Sequence, residues 1–236
     1  MNTTTPSTNI PTGTNSSLNL GLISNPRAFH QLAIIGLDGS GSMSDMTSAL
    51  ITKAEATDLA TRELITRFKA SSAKNNFSFG VLTFDTSAQL RMQPTECAQI
   101  DEYSEDFNPL RGHGGGTDIG SLLLEAERVA NDFLAVQSVA DGVPTDVVIL
   151  LMSDGGHNTG PDARVIADRI KASNGGRVTI CAALFATVGT SDPAGEALLR
   201  SLVSDPTRGF STLYTPEALR DFFKASLVRA SGVQLK

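Results

Sequence analysis

Three short stretches of this 236-residue chain set oxygen-bearing side chains on a glycine-rich backbone: Asp38-Gly39-Ser40-Gly41-Ser42, Gly114-Gly115-Gly116-Thr117-Asp118 and Ser153-Asp154-Gly155-Gly156. In the first, Asp38, Ser40 and Ser42 alternate. A loop curling about one point would aim their three oxygens inward, while Gly39 and Gly41 permit close backbone approach. An all-oxygen donor set suits a hard divalent cation such as magnesium, manganese or calcium, and suits zinc poorly, because zinc prefers Cys or His. The same residue types also cap helix N-termini, which is the competing reading of Asp38, Ser40, Ser42 and Thr117. For Asp118, just ahead of a helix beginning near Ile119, capping is the preferred role.

The elements that must hold these loops are legible as hydrophobic patterns. Leu32 to Leu37 is an apolar run that reads as a strand buried on both faces. Leu50, Ala54, Thr57, Thr61, Leu64 and Phe68 recur at three- and four-residue steps and predict a helix from about Ser48 to Ala70. Phe77 to Phe84 is a second strand, and Ala88 to Met92 returns beside it as a hairpin partner. A helix follows from Ile119, with Leu122, Leu123, Ala126, Ala130, Phe133 and Leu134 on one face. Three strand and helix repetitions complete the chain: Val147 to Met152 with Pro161 to Ala172, Val178 to Leu184 with Pro193 to Val203, and Phe210 to Leu213 with Pro216 to Arg229. This order predicts an α/β fold: a doubly wound, mostly parallel six-stranded sheet with one antiparallel edge strand and helices on both faces. In such a sheet ligands collect at the carboxyl ends of the strands, where two of the three glycine-rich loops begin. The Thr-, Ser- and Asn-rich residues 1–28 read as a flexible tail and 29–236 as the folded domain.

The Asp38 to Ser42 element resembles the D-x-S-x-S element of von Willebrand factor type A (vWA) domains, and it follows the hydrophobic strand as it does in that family. Gly116-Thr117 resembles the threonine of their metal-ion-dependent adhesion site (MIDAS), and Asp154-Gly155 its last acidic position. The resemblance covers about residues 29 to 230. It implies a Rossmann-like vWA fold and a divalent ion, Mg²⁺ with Mn²⁺ or Ca²⁺ as alternatives. Ser40, Ser42 and Thr117 would hold the ion directly, and Asp38 and Asp154 would ligate through water or alternate as direct ligands. A protein partner would then offer an Asp or Glu to the ion. Integrin-type members carry two adjacent acids shortly after D-x-S-x-S for a neighbouring calcium, whereas here Met46 follows Asp45, so that second site is not expected. The length and the Gly-Gly-Gly-Thr loop are also similar to stand-alone bacterial members of the tellurium-resistance type. That likeness implies a cytoplasmic stress-response system with a kinase, phosphatase or AAA-type ATPase as partner.

Composition narrows the alternatives. Nineteen Lys and Arg against 25 Asp and Glu give a net charge of −6, which favours neither nucleic acid nor anionic membrane. The longest apolar run, Ile180 to Ala186, is far below the ~20 residues that cross a bilayer. Residues 1–26 carry no charged side chain and so lack the basic start of a secretory signal; the expected location is cytoplasmic. There Cys97 and Cys181 are expected as free thiols. His113, in the glycine loop, and His157, just past Asp154, could border the site and contact a partner, but solvated loop residues are the preferred reading, as they are for the acidic run Asp101 to Asp106, which lacks the EF-hand spacing for calcium. An interaction module is therefore preferred to an enzyme. The alternative, metal-dependent phosphoryl transfer or hydrolysis, lacks a P-loop, an H-E-x-x-H helix, a nucleophile elbow and a D-x-D pair at Asp38.

Overall fold

The computed structural model describes residues 27–140 and 142–232. Their elements run in the order β1 (His30–Asp38), α1 (Lys53–Ala70), β2 (Phe77–Phe84), β3 (Ala88–Glu96), α2 (Ile119–Ala140), β4 (Thr145–Ser153), α3 (Ala163–Ala172), β5 (Val178–Phe185), α4 (Pro193–Leu202), β6 (Phe210–Leu213) and α5 (Pro216–Ser231). The strands form one sheet in the order β3-β2-β1-β4-β5-β6. Only β2 and β3 pair antiparallel, at the sheet edge, as the sequence predicts.

Strand alternation divides the core in two. Leu32 and Ile34 of β1 pack with α2, α3 and α4, whereas Ala33, Ile35 and Leu37 pack with α1 and α5. All nine β1 residues are buried, which accounts for an unbroken apolar run rather than an alternating one. Gly36 lies on the α2 side, where a Cβ would come within 2.6 Å of Leu122 Cδ2, so the helix sits unusually close to the central strand. The chain leaves β1 for β2 through α1 on one face and reaches β4, on the other side of β1, through α2 on the opposite face. The connections diverge between β1 and β4, and a crevice opens where those two strands end.

Several boundaries differ from the sequence reading, each for a local reason. Helix α1 begins at Lys53, not near Ser48, because Thr52 and Glu55 form a capping box: Thr52 Oγ1 accepts from the Glu55 amide at 3.1 Å, and Glu55 Oε2 accepts from the Thr52 amide at 2.8 Å. Leu50 therefore precedes the helix, at φ 59° and 81 % exposed. Strand β3 continues past Met92 to Glu96, accommodating Pro94 because an edge strand can spare an N–H. The acidic run is not wholly solvated. Glu102 is buried and accepts from Lys69 Nζ at 2.5 Å, fastening the loop to α1. Cys97 and Cys181 are both free and buried, and burial pushes the Cys97 thiol up to about 12.

Residues 1–26 of the tail lie outside the described residues. Ala28 donates its amide to Asn76 Oδ1 at 3.0 Å, and Arg27 pairs with Glu96 at 2.7 Å. No helix among the described residues is long and apolar enough to cross a membrane.

On the α1 side, Phe68 meets Phe77 and Phe79 edge-to-face, with centroids 4.7 and 5.4 Å apart. Phe68 is fully buried. Phe68→Ala should lower the unfolding free energy by about 3–5 kcal/mol, measured by urea denaturation.

Candidate metal centre

Parallel pairing of β1 with β4 runs through Leu37 and Met152. The next residues, Asp38 and Ser153, are consequently neighbours at the mouth of the crevice. Ser153 Oγ donates to Asp38 Oδ2 at 2.5 Å, and the Ser40 amide donates to Asp38 Oδ1 at 2.8 Å. After Asp38 the chain turns sharply over the strand ends. A Cβ on Gly39 would lie 2.3 Å from the Pro109 carbonyl oxygen, so only glycine fits there. Gly41 to Ser44 form a single 3-10 turn that brings Ser42 toward β4. Ser40 Oγ and Ser42 Oγ are 3.2 Å apart, and Ser42 Oγ donates to Asp154 Oδ1 at 2.8 Å. Asp38, Ser40, Ser42 and Asp154 thus form one connected group.

Thr117 arrives from the glycine-rich loop, which touches the first loop where the Gly41 amide donates to the Gly115 carbonyl at 3.2 Å. Asn158 fixes its backbone: Asn158 Oδ1 accepts from the Thr117 amide at 2.9 Å, and the Asn158 amide donates to the Thr117 carbonyl at 3.0 Å. Thr117 is buried, yet its hydroxyl makes no hydrogen bond among the described residues. Asp118 is a cap, as expected: its carboxylate accepts from the Ser121 amide at 2.8 Å and the Ser121 hydroxyl at 2.6 Å.

Five residues beyond the expected ligands support the site. Ser153 and Asn158 hold Asp38 and Thr117. Asp85 Oδ2 accepts from the Gly115 amide at 3.2 Å and steadies the glycine loop. His113 is not a solvated residue: its side chain is fully buried, with Nδ1 3.0 Å from Asp85 Oδ1 and Nε2 2.8 Å from Thr83 Oγ1. The fifth is Lys53, whose ammonium donates to Asp154 Oδ2 at 2.7 Å and lies 3.7 Å from Asp45 Oδ2. His157 borders the site only through its backbone neighbour, Nδ1 accepting from the Ile119 amide at 3.2 Å. The proximity of Ser153 and Asn158 to Asp154 in the sequence was a usable signal. Nothing in the sequence marks Lys53.

Electrostatically, the centre holds two carboxylates that share little solvent. Burial pushes the Asp38 carboxyl up to about 6, against the opposing hydrogen bonds from Ser153 and Ser40, and Asp154 adds to the rise. The donors present fit a hard divalent cation: two carboxylates crowded together, three short hydroxyls, one of them unspent, and no cysteine or imidazole among them. Among the described residues no group of three His, Cys, Asp or Glu side chains gathers into a conventional metal cluster. The acids alone therefore do not make the site.

With this geometry the class of the protein follows. The chain belongs to the von Willebrand factor type A domain family, whose model matches residues 34–225. Among solved structures, proximal thread matrix protein 1 from the mussel byssus is similar at 18 % identity and a TM-score of 0.58, over 86 % of this chain and 48 % of that one. A further structure of the byssus protein, described as having a zinc-occupied MIDAS motif, is similar at 16 % identity and a TM-score of 0.56, over 87 % of this chain and 46 % of that one. BatB from Bacteroides thetaiotaomicron is similar at 15 % identity and a TM-score of 0.56, over 86 % of this chain and 99 % of that one. The chain spans about half the length of the byssus protein. No curated protein sequence matches it.

The raised Asp38 pKa has a definite sign. Between the unfolded value of 3.8 and about 6 the folded chain holds a proton that the unfolded chain has lost. Stability from this group is therefore full below pH 3.8 and disappears as pH rises through about 6. The loss amounts to about 3 kcal/mol. In chelator-stripped protein the stability advantage of Asp38→Asn over the parent should grow by about that amount between pH 4 and 7, measured by urea denaturation. A pH-independent difference would show that burial does not control this carboxyl.

Proposed function

We propose that this vWA domain binds a protein partner through a divalent cation. Ser40, Ser42 and Thr117 hold the cation directly, Asp38 and Asp154 balance its charge directly or through water, and a partner's Asp or Glu completes its coordination. The observation that carries the reading is the meeting of two carboxylates, from the ends of adjacent strands, with the Ser40 and Ser42 hydroxyls, beside which the Gly41 to Gly115 hydrogen bond holds the loop that carries Thr117. A bound dication supplies an electrophilic anchor for an anionic side chain. The chain's own part is to keep the hydroxyls converged, through Gly39, Asn158 and Asp85, and to keep the carboxylates partly out of water, where charge acts strongly.

The zinc-occupied MIDAS motif described for the byssus protein supports an ion at the equivalent place. Hard oxygen donors favour Mg²⁺ here, with Mn²⁺ or Ca²⁺ as substitutes. The role is recognition rather than catalysis: neutral hydroxyls in direct contact leave the ion electrophilic toward an anionic ligand. An open cleft of about 260 Å³ adjoins the centre, bordered by Ser42, Lys53, Asp154 and the Thr187 to Asp192 loop, and gives a partner segment room beside the ion. Residence in the cytoplasm, in a stress-response assembly with a kinase, phosphatase or AAA-type ATPase, is the finer part of the proposal. The assembly and its partners rest on similarity to tellurium-resistance-type members.

Titrating chelator-stripped protein with Mg²⁺ or Mn²⁺ in a calorimeter should show one saturable site, abolished in Asp38→Ala and weakened about tenfold in Thr117→Val, which removes one donor. Absent binding, or binding unchanged in Asp38→Ala, would overturn the metal centre. Metal-dependent phosphoester turnover that Asp154→Ala abolishes would favour the enzyme instead. At a free Mg²⁺ concentration 100 times its Kd, the unfolding free energy should rise by about 2.7 kcal/mol, measured by urea denaturation.

A further inference from the structure

Lys53 occupies a place that neither helix stability nor core packing explains. It is the first residue of α1, where the positive end of the helix dipole disfavours a cation. Its side chain is nevertheless only 7 % exposed and is joined to an Asp154 carboxylate that is 1 % exposed. The backbone at Lys53 is fixed on both sides, its amide donating to the Asp45 carbonyl at 2.9 Å and its carbonyl accepting from Thr57 Oγ1 at 2.8 Å. The ammonium therefore has no ready route to a distant position, although its four-carbon stem allows small retreats.

We infer that Lys53 is a resident counter-cation of the metal centre: it weakens the hold on the divalent ion and adds the net positive charge with which the loaded centre captures a carboxylate. The inference rests on the metal reading above. Both Asp154 oxygens are engaged, Oδ1 by Ser42 and Oδ2 by Lys53, so an ion drawing on Asp154 must share it with the ammonium. Charge counting gives the second half of the argument. The ionised Asp38 and Asp154 carboxylates offset the formal charge of a dication and the three hydroxyls contribute none, so without Lys53 the loaded centre would draw an acid through coordination to the ion alone, with no net charge behind it. With Lys53 it carries one positive charge. Asp45, the other acid beside the ammonium, is 65 % exposed and its field is largely screened by water. Lys53 also borders the cleft next to the centre, so a ligand reaching the ion passes its charge.

The test compares chelator-stripped parent, Lys53→Met and Lys53→Arg. Calorimetric titration with Mn²⁺ should show at least tenfold tighter binding in Lys53→Met and near-parent binding in Lys53→Arg. Water-proton relaxation of the bound Mn²⁺ should fall as glutarate, a dicarboxylate probe, displaces coordinated water, and Lys53→Met should need at least threefold more glutarate. Saturating Mn²⁺ should raise the melting temperature of Lys53→Met more than that of the parent. If Lys53→Met does not fold, Lys53→Gln, which keeps a hydrogen-bond donor without the charge, takes its place in every arm. Equal or weaker Mn²⁺ binding in the uncharged variant overturns the role of Lys53 and leaves the metal centre standing. No Mn²⁺ binding by any of the proteins overturns both.

Discussion

Two carboxylates, Asp38 at the end of β1 and Asp154 just past the end of β4, are brought together in a place where water cannot screen them. The parallel register of neighbouring strands imposes this, since Leu37 faces Met152 and the residues that follow must share one crevice. Like charges this close call for a compensating cation or proton. Asp38, chiefly because it is buried and to a smaller degree because of the Asp154 charge, holds its proton far more tightly than an exposed aspartate, and Asp154 pairs with Lys53. The hydroxyls of Ser40, Ser42 and Thr117, and the loops that carry them, are arranged around this accumulation of negative charge.

The surrounding structure is what makes the accumulation tolerable. A strand buried on both faces, clamped between two cores, fixes the Asp38 backbone, and the rigid hydrogen-bonded loops above it limit how far the carboxyl can turn toward solvent. Gly39 lets the chain fold back under the Pro109 carbonyl, which a side chain would forbid. The glycine loop that carries Thr117 is held by Asp85 through the Gly115 amide and by Asn158 through the Thr117 amide, which fixes the place of Thr117. A charged centre of this kind costs stability when empty, a cost commonly found where a binding site has been placed on a well-packed fold.

Similar structures with identities of 15–18 % share the sheet and its helices over most of this chain. That similarity concerns the fold. The centre itself depends on individual residues, and Lys53 shows how a single helix-start position can alter the charge of an otherwise familiar donor set.

Much was legible in the sequence. The apolar runs determined the strands, the three- and four-residue periodicities determined the helices, and glycine-flanked Asp, Ser and Thr residues beside strand ends marked the centre, because backbone periodicity and local donor chemistry are properties of short segments. Where two local signals competed, the nearer one prevailed: the Thr52 and Glu55 capping box started α1 at Lys53 and left Leu50 in solvent, against the wider periodicity. Tertiary structure alone decided the burial of His113 against Asp85, the fastening of Glu102 to Lys69 and the pairing of Lys53 with Asp154, residues 28, 33 and 101 positions apart. Such pairings are set by which strand ends and helix starts the sheet brings together. No segment of the chain contains that information, because an ion pair depends on distance in space and the sequence records only order.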